Sequence, residues 1–163
     1  MRIAVNTRLL LKDKLEGIGW YTYETLIRIV RAHPEHEFYF LFDRHYHQEF
    51  IFASNVHPVL VSPPTRHPIL WYAWFELRLP KILRKLQIDL FLSPDGFLSL
   101  RSNIPSIAVI HDINFEHHPK DLKKSHSLFY RHFFRKYAHK AKRIVTVSEY
   151  SKNDIANLYS VSR

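Results

Sequence analysis

The chain has 163 residues, the size of one ordinary domain, and can bury about 70% of its unfolded surface without a disulfide or metal to hold it together. It contains no cysteine, which excludes thiolate catalysis, thiolate zinc sites and disulfides and suits a reducing compartment. Its 24 Lys and Arg against 15 Asp and Glu leave a net charge of +9, so the surface should attract polyanions or anionic lipid headgroups.

No segment of the chain predicts insertion into or export across a membrane. The longest apolar runs are cut by charged residues or proline and fall short of the about 20 residues needed to cross a bilayer. The N-terminal residues lack the basic head, apolar core and cleavage site of a signal peptide. We therefore expect a cytoplasmic protein.

The first half of the chain predicts three strands and two long helices. In chain order these are a strand at 2–6, a helix at 20–32, strands at 37–42 and 56–61, and a helix at 68–86. Pro58 places the third strand near a sheet edge, because proline lacks the N–H that a central strand needs. Pro80 should kink the second helix or divide it.

The second half continues the alternation of strands and helices. It predicts strands at 89–92, 107–110 and 143–147, a long basic helix at 125–142, and a last helix that Ser148 caps and that runs to Leu158. Strands separated by helices specify a parallel sheet covered on both faces, with right-handed crossovers. The sequence therefore predicts an α/β fold, a Rossmann-like doubly wound parallel sheet flanked by helices, as a single domain over 1–163.

Candidate site residues follow the predicted strands, because ligands of such sheets bind outside the carboxyl ends of the strands. His111 and Asp112 directly follow the fifth strand and are our candidate catalytic pair. His111 can exchange hydrogen bonds at neutral pH, and Asp112 can orient the imidazole ring or hold a sugar hydroxyl. The alternative is that one of 12 histidines happens to follow a strand.

The glycines of Gly17-Ile18-Gly19 precede a helix and offer unblocked amides to a phosphate or a sugar hydroxyl. The segment lacks the full dinucleotide-binding pattern and lies too far beyond Asn6 for that tight turn. A simple loop-to-helix turn explains it equally well.

Further candidates for substrate binding are Arg8, Asp95, Ser148 and Lys152, which also lie beyond predicted strands. Asp95 precedes a glycine, so an Asx turn explains its carboxylate without function. Ser148 is typical of a helix cap, whose exposed amides could still take a phosphate or carboxylate with the help of Lys152. No histidine pair with a third ligand stands out on a helix, and we predict no metal site.

The helices predicted at 68–86 and 125–142 combine aromatic stripes with many Lys and Arg. Basic amphipathic helices suit an anionic membrane surface, although a stripe facing the core and a solvated charged face explain most of the pattern. The chain shows no recognition motif for nucleic acid, so we expect only weak, nonspecific binding to it.

Four short motifs occur in the order seen in the N-terminal domain of family 4 glycosyltransferases. They are GIGWYTYE at 17–24, FLSPD at 91–95, VIHD at 109–112 and VTVSEYSKNDI at 145–155. The resemblance covers nearly the whole chain. It implies the N-terminal half of a GT-B architecture, in which two Rossmann-like domains face each other across a cleft and the first domain mainly holds the acceptor.

The resemblance implies a retaining, hexosyl- or mannosyl-type transfer from a nucleotide-sugar, a cosubstrate rather than a bound cofactor, to a glycan or lipid-linked acceptor, without a bound metal. Gly17, Ile18 and Gly19 would lie against the donor phosphates or the acceptor, and His111 would contact the transferred sugar. Asp112, Asp95, Ser148 and Lys152 would lie near the cleft. A basic, aromatic surface would suit the inner face of the membrane.

The family's C-terminal donor-binding domain is absent from these 163 residues. We therefore expect the chain to be inactive alone and to need that domain from the same polypeptide or from a partner. The alternative function is a non-catalytic module with the same fold that binds a sugar or a polyanion.

Overall fold

The protein is described by a computed structural model that covers residues 1–162. Within this range it forms a six-stranded, all-parallel sheet in the order β3-β2-β1-β4-β5-β6. The strands are β1 Arg2–Asn6, β2 Glu37–Phe42, β3 Val56–Leu60, β4 Leu90–Ser93, β5 Ser106–Val109 and β6 Arg143–Val145. This topology confirms the predicted Rossmann-like doubly wound α/β fold.

Helices cover both faces of the sheet. They are α1 Gly17–Ala32, α2 Pro68–Tyr72, a π-helical segment Ala73–Arg78, α3 Leu79–Lys85, α4 Asn114–His117, α5 Lys124–Lys140 and α6 Glu149–Tyr159. Short 3-10 helices occupy Gln48–Phe50 and Pro119–Asp121. None of the helices in the described part of the chain combines the length and apolar character needed to span a bilayer.

The strand order reverses at the centre of the sheet. From β1 the chain moves outward through β2 to β3, then returns to add β4 on the other side of β1, with Ala4 beside Phe91. Two crossovers that leave neighbouring strands in opposite directions open a crevice at their carboxyl ends. The fold therefore places its ligand crevice above β1 and β4.

Alternate residues of the strands enter two separate apolar cores. Val5 and Phe40 pack on one face with Leu26 of α1, whereas Ala4 and Phe91 belong to the core on the other face. The helices of that second layer contribute fully buried aromatic rings, among them Trp74, Phe75 and Tyr137. Burial on both faces explains why the strands read as continuous apolar runs rather than alternating ones.

The structure places β3 at the sheet edge, as Pro58 predicted. Helix α1 begins at Gly17, three residues before its predicted start. Both glycines of the 17–19 segment therefore lie in its first turn and not in the loop before it. A Cβ on Gly19 would lie 3.0 Å from the Leu9 carbonyl oxygen and 3.2 Å from Leu15, so this position needs glycine for close packing against the preceding loop. The last strand ends at Val145, two residues earlier than predicted.

Pro80, which was predicted to kink the second long helix or divide it, lies in the first turn of α3, directly after the π-helical segment. The chain stays helical from Pro68 to Lys85, and its hydrogen bonding changes before the proline, in the π-helical segment. A proline ring clashes with the carbonyl four residues earlier, which here belongs to Glu76 inside that segment. The wider π turn thus accommodates the proline without a break.

The turn after β4 requires glycine at position 96, and this requirement can be tested by substitution. Its φ is +80°, and a Cβ there would lie 3.0 Å from the Phe134 ring and 3.2 Å from the Val109 carbonyl oxygen. We expect Gly96→Ala to lower the free energy of unfolding by about 2 kcal/mol, as measured by urea denaturation. Gly17→Ala is the matched control, because nothing lies within 4 Å of its Cβ position. Equal stability of the two variants would contradict this account.

Candidate functional site

A cavity of about 520 Å³ lies at the carboxyl edge of the sheet, over the crevice between β1 and β4. The loop after β1 contributes Arg8, the turn after β4 contributes Asp95, and the segment after β5 contributes His111 and Asp112. Ile18 of the first turn of α1 also lines it. The structure therefore brings five of the predicted site residues to one cavity.

The imidazole of His111 is held in a fixed orientation by two contacts. Its Nε2 lies 2.9 Å from the carbonyl oxygen of Pro94, and its ring meets the edge of Tyr21 at a centroid distance of 4.8 Å and an angle of 85°. Because a carbonyl oxygen only accepts hydrogen bonds, Nε2 carries a proton. In the neutral ring, Nδ1 is then the free acceptor.

Asp112 does not orient the His111 ring, contrary to one of the two roles predicted for it. Its Oδ1 accepts a hydrogen bond of 2.9 Å from the backbone N–H of Asn114, where α4 begins. The side chain is otherwise exposed at the cavity, so the second predicted role, holding a ligand hydroxyl, stays a prediction.

Arg8 and Asp95 form a buried ion pair in the cavity wall. The Arg8 Nε donates to Asp95 Oδ2 at 2.7 Å, and the two side chains are 7% and 6% exposed. Asp95 Oδ1 accepts further hydrogen bonds from Asn6 at 2.7 Å and Ser93 at 3.0 Å. The guanidinium carbon lies 4.3 Å from the centroid of the Phe97 ring. These contacts satisfy the Asp95 carboxylate and make the pair a rigid part of the wall.

The Asp95 carboxylate also forms the predicted Asx turn, since its Oδ1 accepts from the backbone N–H of Phe97 at 3.3 Å. The Asx turn therefore explains the Asp95 carboxylate without a function, as the sequence suggested. Because the same side chain lines the cavity, a role in the turn and a role in ligand binding are compatible.

Asp43, at the end of β2, anchors the loop that carries Thr65 to the cavity. Its carboxylate accepts from the Thr65 backbone N–H at 2.6 Å and from Arg44 Nε at 2.7 Å. Burial raises the pKa of Asp43, but the hydrogen bonds from Arg44 and Thr65 outweigh it and hold the pKa below its ordinary value of 3.8. Thr65 in turn accepts from Arg8 Nη1 at 3.3 Å.

Aromatic side chains form much of the remaining wall, chiefly Trp71, Phe97 and Tyr130. The Trp71 Nε1 donates to the Thr65 carbonyl oxygen at 2.8 Å, which fixes the indole. Burial raises the pKa of the Tyr130 hydroxyl, so this side chain stays a neutral hydrogen-bonding group. Flat apolar faces beside polar groups can stack on one face of a sugar ring.

The charges around the cavity favour a neutral, hydroxylated ligand over an anion. Among the described residues that line it, Arg8 is the single Lys or Arg, and Asp95 neutralises it. Asp112 and Asp121 add exposed carboxylates, which accept hydrogen bonds from hydroxyl groups and repel phosphates.

The glycine segment contributes less to the cavity than predicted. Ile18 lines it, but Gly17 and Gly19 do not. Gly19 is explained by its packing against the Leu9 carbonyl, and the Glu16 side chain at the cap of α1 makes no capping hydrogen bond. A ligand-binding role for the two glycines stays a prediction.

Ser148 and Lys152 lie apart from the other candidates. They line a second cavity of about 480 Å³ beyond β6, at the edge of the sheet. The Ser148 Oγ accepts from the Ser151 backbone N–H at 3.1 Å, which is the cap that the sequence predicted. Lys152 pairs with Glu149 at 3.4 Å. The structure therefore does not join these two residues to the His111 cavity.

Sequence reasoning missed Tyr21, Thr65, Tyr130, His118 and Asp121 as parts of this site. Trp71 was assigned to the apolar stripe of a helix, although it faces both the core and the cavity.

The parallel sheet, with its cavity over the strand reversal and a histidine beyond β5, defines a Rossmann-like domain with a candidate ligand site. The model of Glycosyltransferase Family 4 matches residues 15–163, and the chain belongs to this family. A search of curated proteins finds no match.

Thirteen chains of solved structures match the protein. One is a UDP-galactose 4-epimerase, 12% identical, with a TM-score of 0.32 over 57% of this chain. The match spans 37% of the epimerase. A likeness this distant says nothing about function.

The lowered pKa of Asp43 makes the stability of the fold depend on pH. We expect Asp43→Asn to lower the free energy of unfolding by about 2 kcal/mol at neutral pH, because charged hydrogen bonds to the Thr65 loop are lost. The lowered pKa of Asp43 stabilises the fold above its ordinary value of 3.8, and this contribution is lost as the pH falls through the folded-state pKa. The difference in the free energy of unfolding between wild type and Asp43→Asn, measured by urea denaturation, should therefore become smaller below a pH of about 4.

The matched control for this experiment is Asp13→Asn, which changes an exposed carboxylate. It should leave the free energy of unfolding unchanged across the same pH range. A wild-type to Asp43→Asn difference that stays constant down to low pH would show that the Asp43 pKa is not lowered.

Proposed function

We propose that this chain is the acceptor-binding half of a GT-B glycosyltransferase. The complete enzyme would transfer a hexosyl or mannosyl group from a nucleotide-sugar to a glycan or lipid-linked acceptor, with retention of configuration. Membership of Glycosyltransferase Family 4 supports the reaction class. The observation that carries the assignment of the site is His111, held by Pro94 and Tyr21 at a cavity suited to sugars.

In this proposal His111 contacts the transferred sugar. Its Nε2–H is engaged by the Pro94 carbonyl, which leaves Nδ1 to exchange a hydrogen bond with a sugar hydroxyl. The contact with Tyr21 prevents the ring from turning away. A preset orientation of this kind lowers the entropic cost of reaching the reactive geometry. Asp112 would accept from a second hydroxyl of the donor sugar or the acceptor.

The first turn of α1 would approach the donor phosphates. Ile18 already lines the cavity, and the first turn itself has no acidic residue, while Glu16 at the cap places one carboxylate beside it. Its exposed N–H groups and the helix dipole favour negative charge.

The departing nucleoside diphosphate needs more positive charge than this cavity offers. Arg8 is neutralised by Asp95, so the cations that stabilise the leaving phosphate would come from the donor-binding domain across the cleft. We therefore expect the 163-residue chain to show no turnover by itself with any nucleotide-sugar, as measured by release of nucleoside diphosphate.

The test of His111 uses the complete enzyme, with the donor-binding domain supplied in the same polypeptide or as a partner. We expect His111→Ala to lower kcat/KM about 100-fold or more, because a positioned hydrogen bond to the reacting sugar is lost. His45→Ala, an exposed histidine outside the cavity, is the matched control. Activity of His111→Ala close to wild type would refute the assignment.

The rival function, a sugar-binding module without chemistry, predicts a different result. Calorimetry would detect glycan binding that Asp112→Asn weakens, while no donor would give turnover with the second domain present. The mixed charges of the cavity favour a glycan over a polyanion as the bound partner.

We also propose that the outer face of the α2–α3 and α5 layer contacts an anionic membrane surface on the cytoplasmic side. Helix α5 contains no Asp or Glu, and the only acidic residue between Pro68 and Lys85 is the buried Glu76. Exposed cations on these helices are Arg78, Lys81, Arg84, Lys85, Lys124, Arg131, Arg135 and Lys136. Ile69 and Leu128 are 72% and 74% exposed on the same layer, as in helices that insert apolar side chains between headgroups.

Vesicle sedimentation tests this surface. The chain should bind vesicles that contain phosphatidylglycerol and should not bind pure phosphatidylcholine. The double charge reversal Arg135→Glu with Lys136→Glu should weaken binding about tenfold or more. Lys12→Glu with Lys14→Glu changes the net charge equally on the loop before α1 and is the matched control. Equal loss in both double variants would indicate a general charge effect rather than a defined surface.

A further inference from the structure

The turn between α1 and β2 gathers two histidines and a carboxylate at the amino edge of the sheet, opposite the His111 cavity. Its sequence is His33-Pro34-Glu35-His36, and Glu37 begins β2. His33 Nδ1 lies 3.2 Å and His36 Nδ1 3.6 Å from the same Glu35 oxygen, Oε1. All three atoms lie within 4.8 Å of one another.

Two of the three separations are close to the edge length of a metal coordination tetrahedron. Zinc binds imidazole nitrogen and carboxylate oxygen at about 2.0–2.1 Å, which places neighbouring ligand atoms about 3.3 Å apart. The two nitrogen-to-oxygen distances bracket this value. We infer that His33, Glu35 and His36 form a binding site for a divalent transition-metal ion of the zinc type, with solvent at the remaining position.

The site is held in place before any ion binds. The amide nitrogen of the buried Asn55 lies 3.4, 3.2 and 3.0 Å from the carbonyl oxygens of Val30, His33 and His36, which share its two hydrogens. The two imidazole rings are nearly parallel, with a centroid distance of 5.6 Å and an angle of 14°. Fixing the backbone of both histidines lowers the conformational entropy that coordination would otherwise cost.

The ion would be remote from the His111 cavity. It would join the end of α1 to the start of β2, and it lies at the edge of the sheet opposite the candidate site. His33 and His36 are three residues apart in a turn and do not match the four-residue spacing expected of metal-binding histidines on a helix, so they were not predicted. The feature of the sequence that indicates this site is Glu35, which lies between the two histidines.

Isothermal titration of untagged protein with zinc chloride tests this site. We expect one zinc ion per chain and a rise in the melting temperature when zinc is added, because the ion binds only the folded turn. His33→Ala with His36→Ala should weaken the binding at least about tenfold and abolish the thermal shift. His132→Ala with His139→Ala, which removes two exposed histidines from α5, should change neither.

Glu35→Gln provides a second variant that keeps both histidines and the shape of the turn. It should also weaken zinc binding at least about tenfold while leaving the melting temperature in EDTA unchanged. No heat of zinc binding to wild type, or equal affinity in wild type and the Glu35→Gln variant, would overturn the proposal.

Discussion

The buried ion pair between Arg8 and Asp95 joins β1 to β4 at the point where the strand order reverses. Removing both charges from water costs several kcal/mol per ion, and the attraction between them offsets this only when the remaining donors and acceptors are satisfied. Here Asn6, Ser93 and Thr65 supply those hydrogen bonds. The pair is therefore best understood as a device that fixes geometry.

The position of His111 depends on this pair through one residue. Pro94 lies between Ser93 and Asp95, whose side chains belong to the ion-pair network, and its carbonyl oxygen accepts from His111. The turn after β4 thus transmits the geometry of the crevice to the imidazole. The other side of the ring contacts Tyr21, so α1 completes the support. Three elements distant in sequence determine one ring orientation.

The strands and the edge that holds the cavity were predictable, because continuous apolar runs between helices specify a parallel sheet whose ligands bind at the carboxyl ends of its strands. The hydrogen-bond partner of His111 was not predictable, because a backbone carbonyl oxygen has no sequence signature. The neighbouring Asp112 was predicted in its place. Ser148 and His111 line different cavities, which strand order alone does not predict. Trp71 and Tyr130 illustrate a further limit, because a helix stripe can face a core and a cavity at once.

The charge distribution of the chain supports a division of labour within the proposed enzyme. The net charge of +9 does not extend to the cavity, where a neutralised Arg8 faces exposed carboxylates. Carboxylates next to a departing diphosphate would oppose the reaction unless cations lay on the opposite wall. The same carboxylates bind hydroxyl groups well. A half-site of this composition is suited to orienting sugars, and it makes the proposed transfer dependent on a second domain that carries the positive charge.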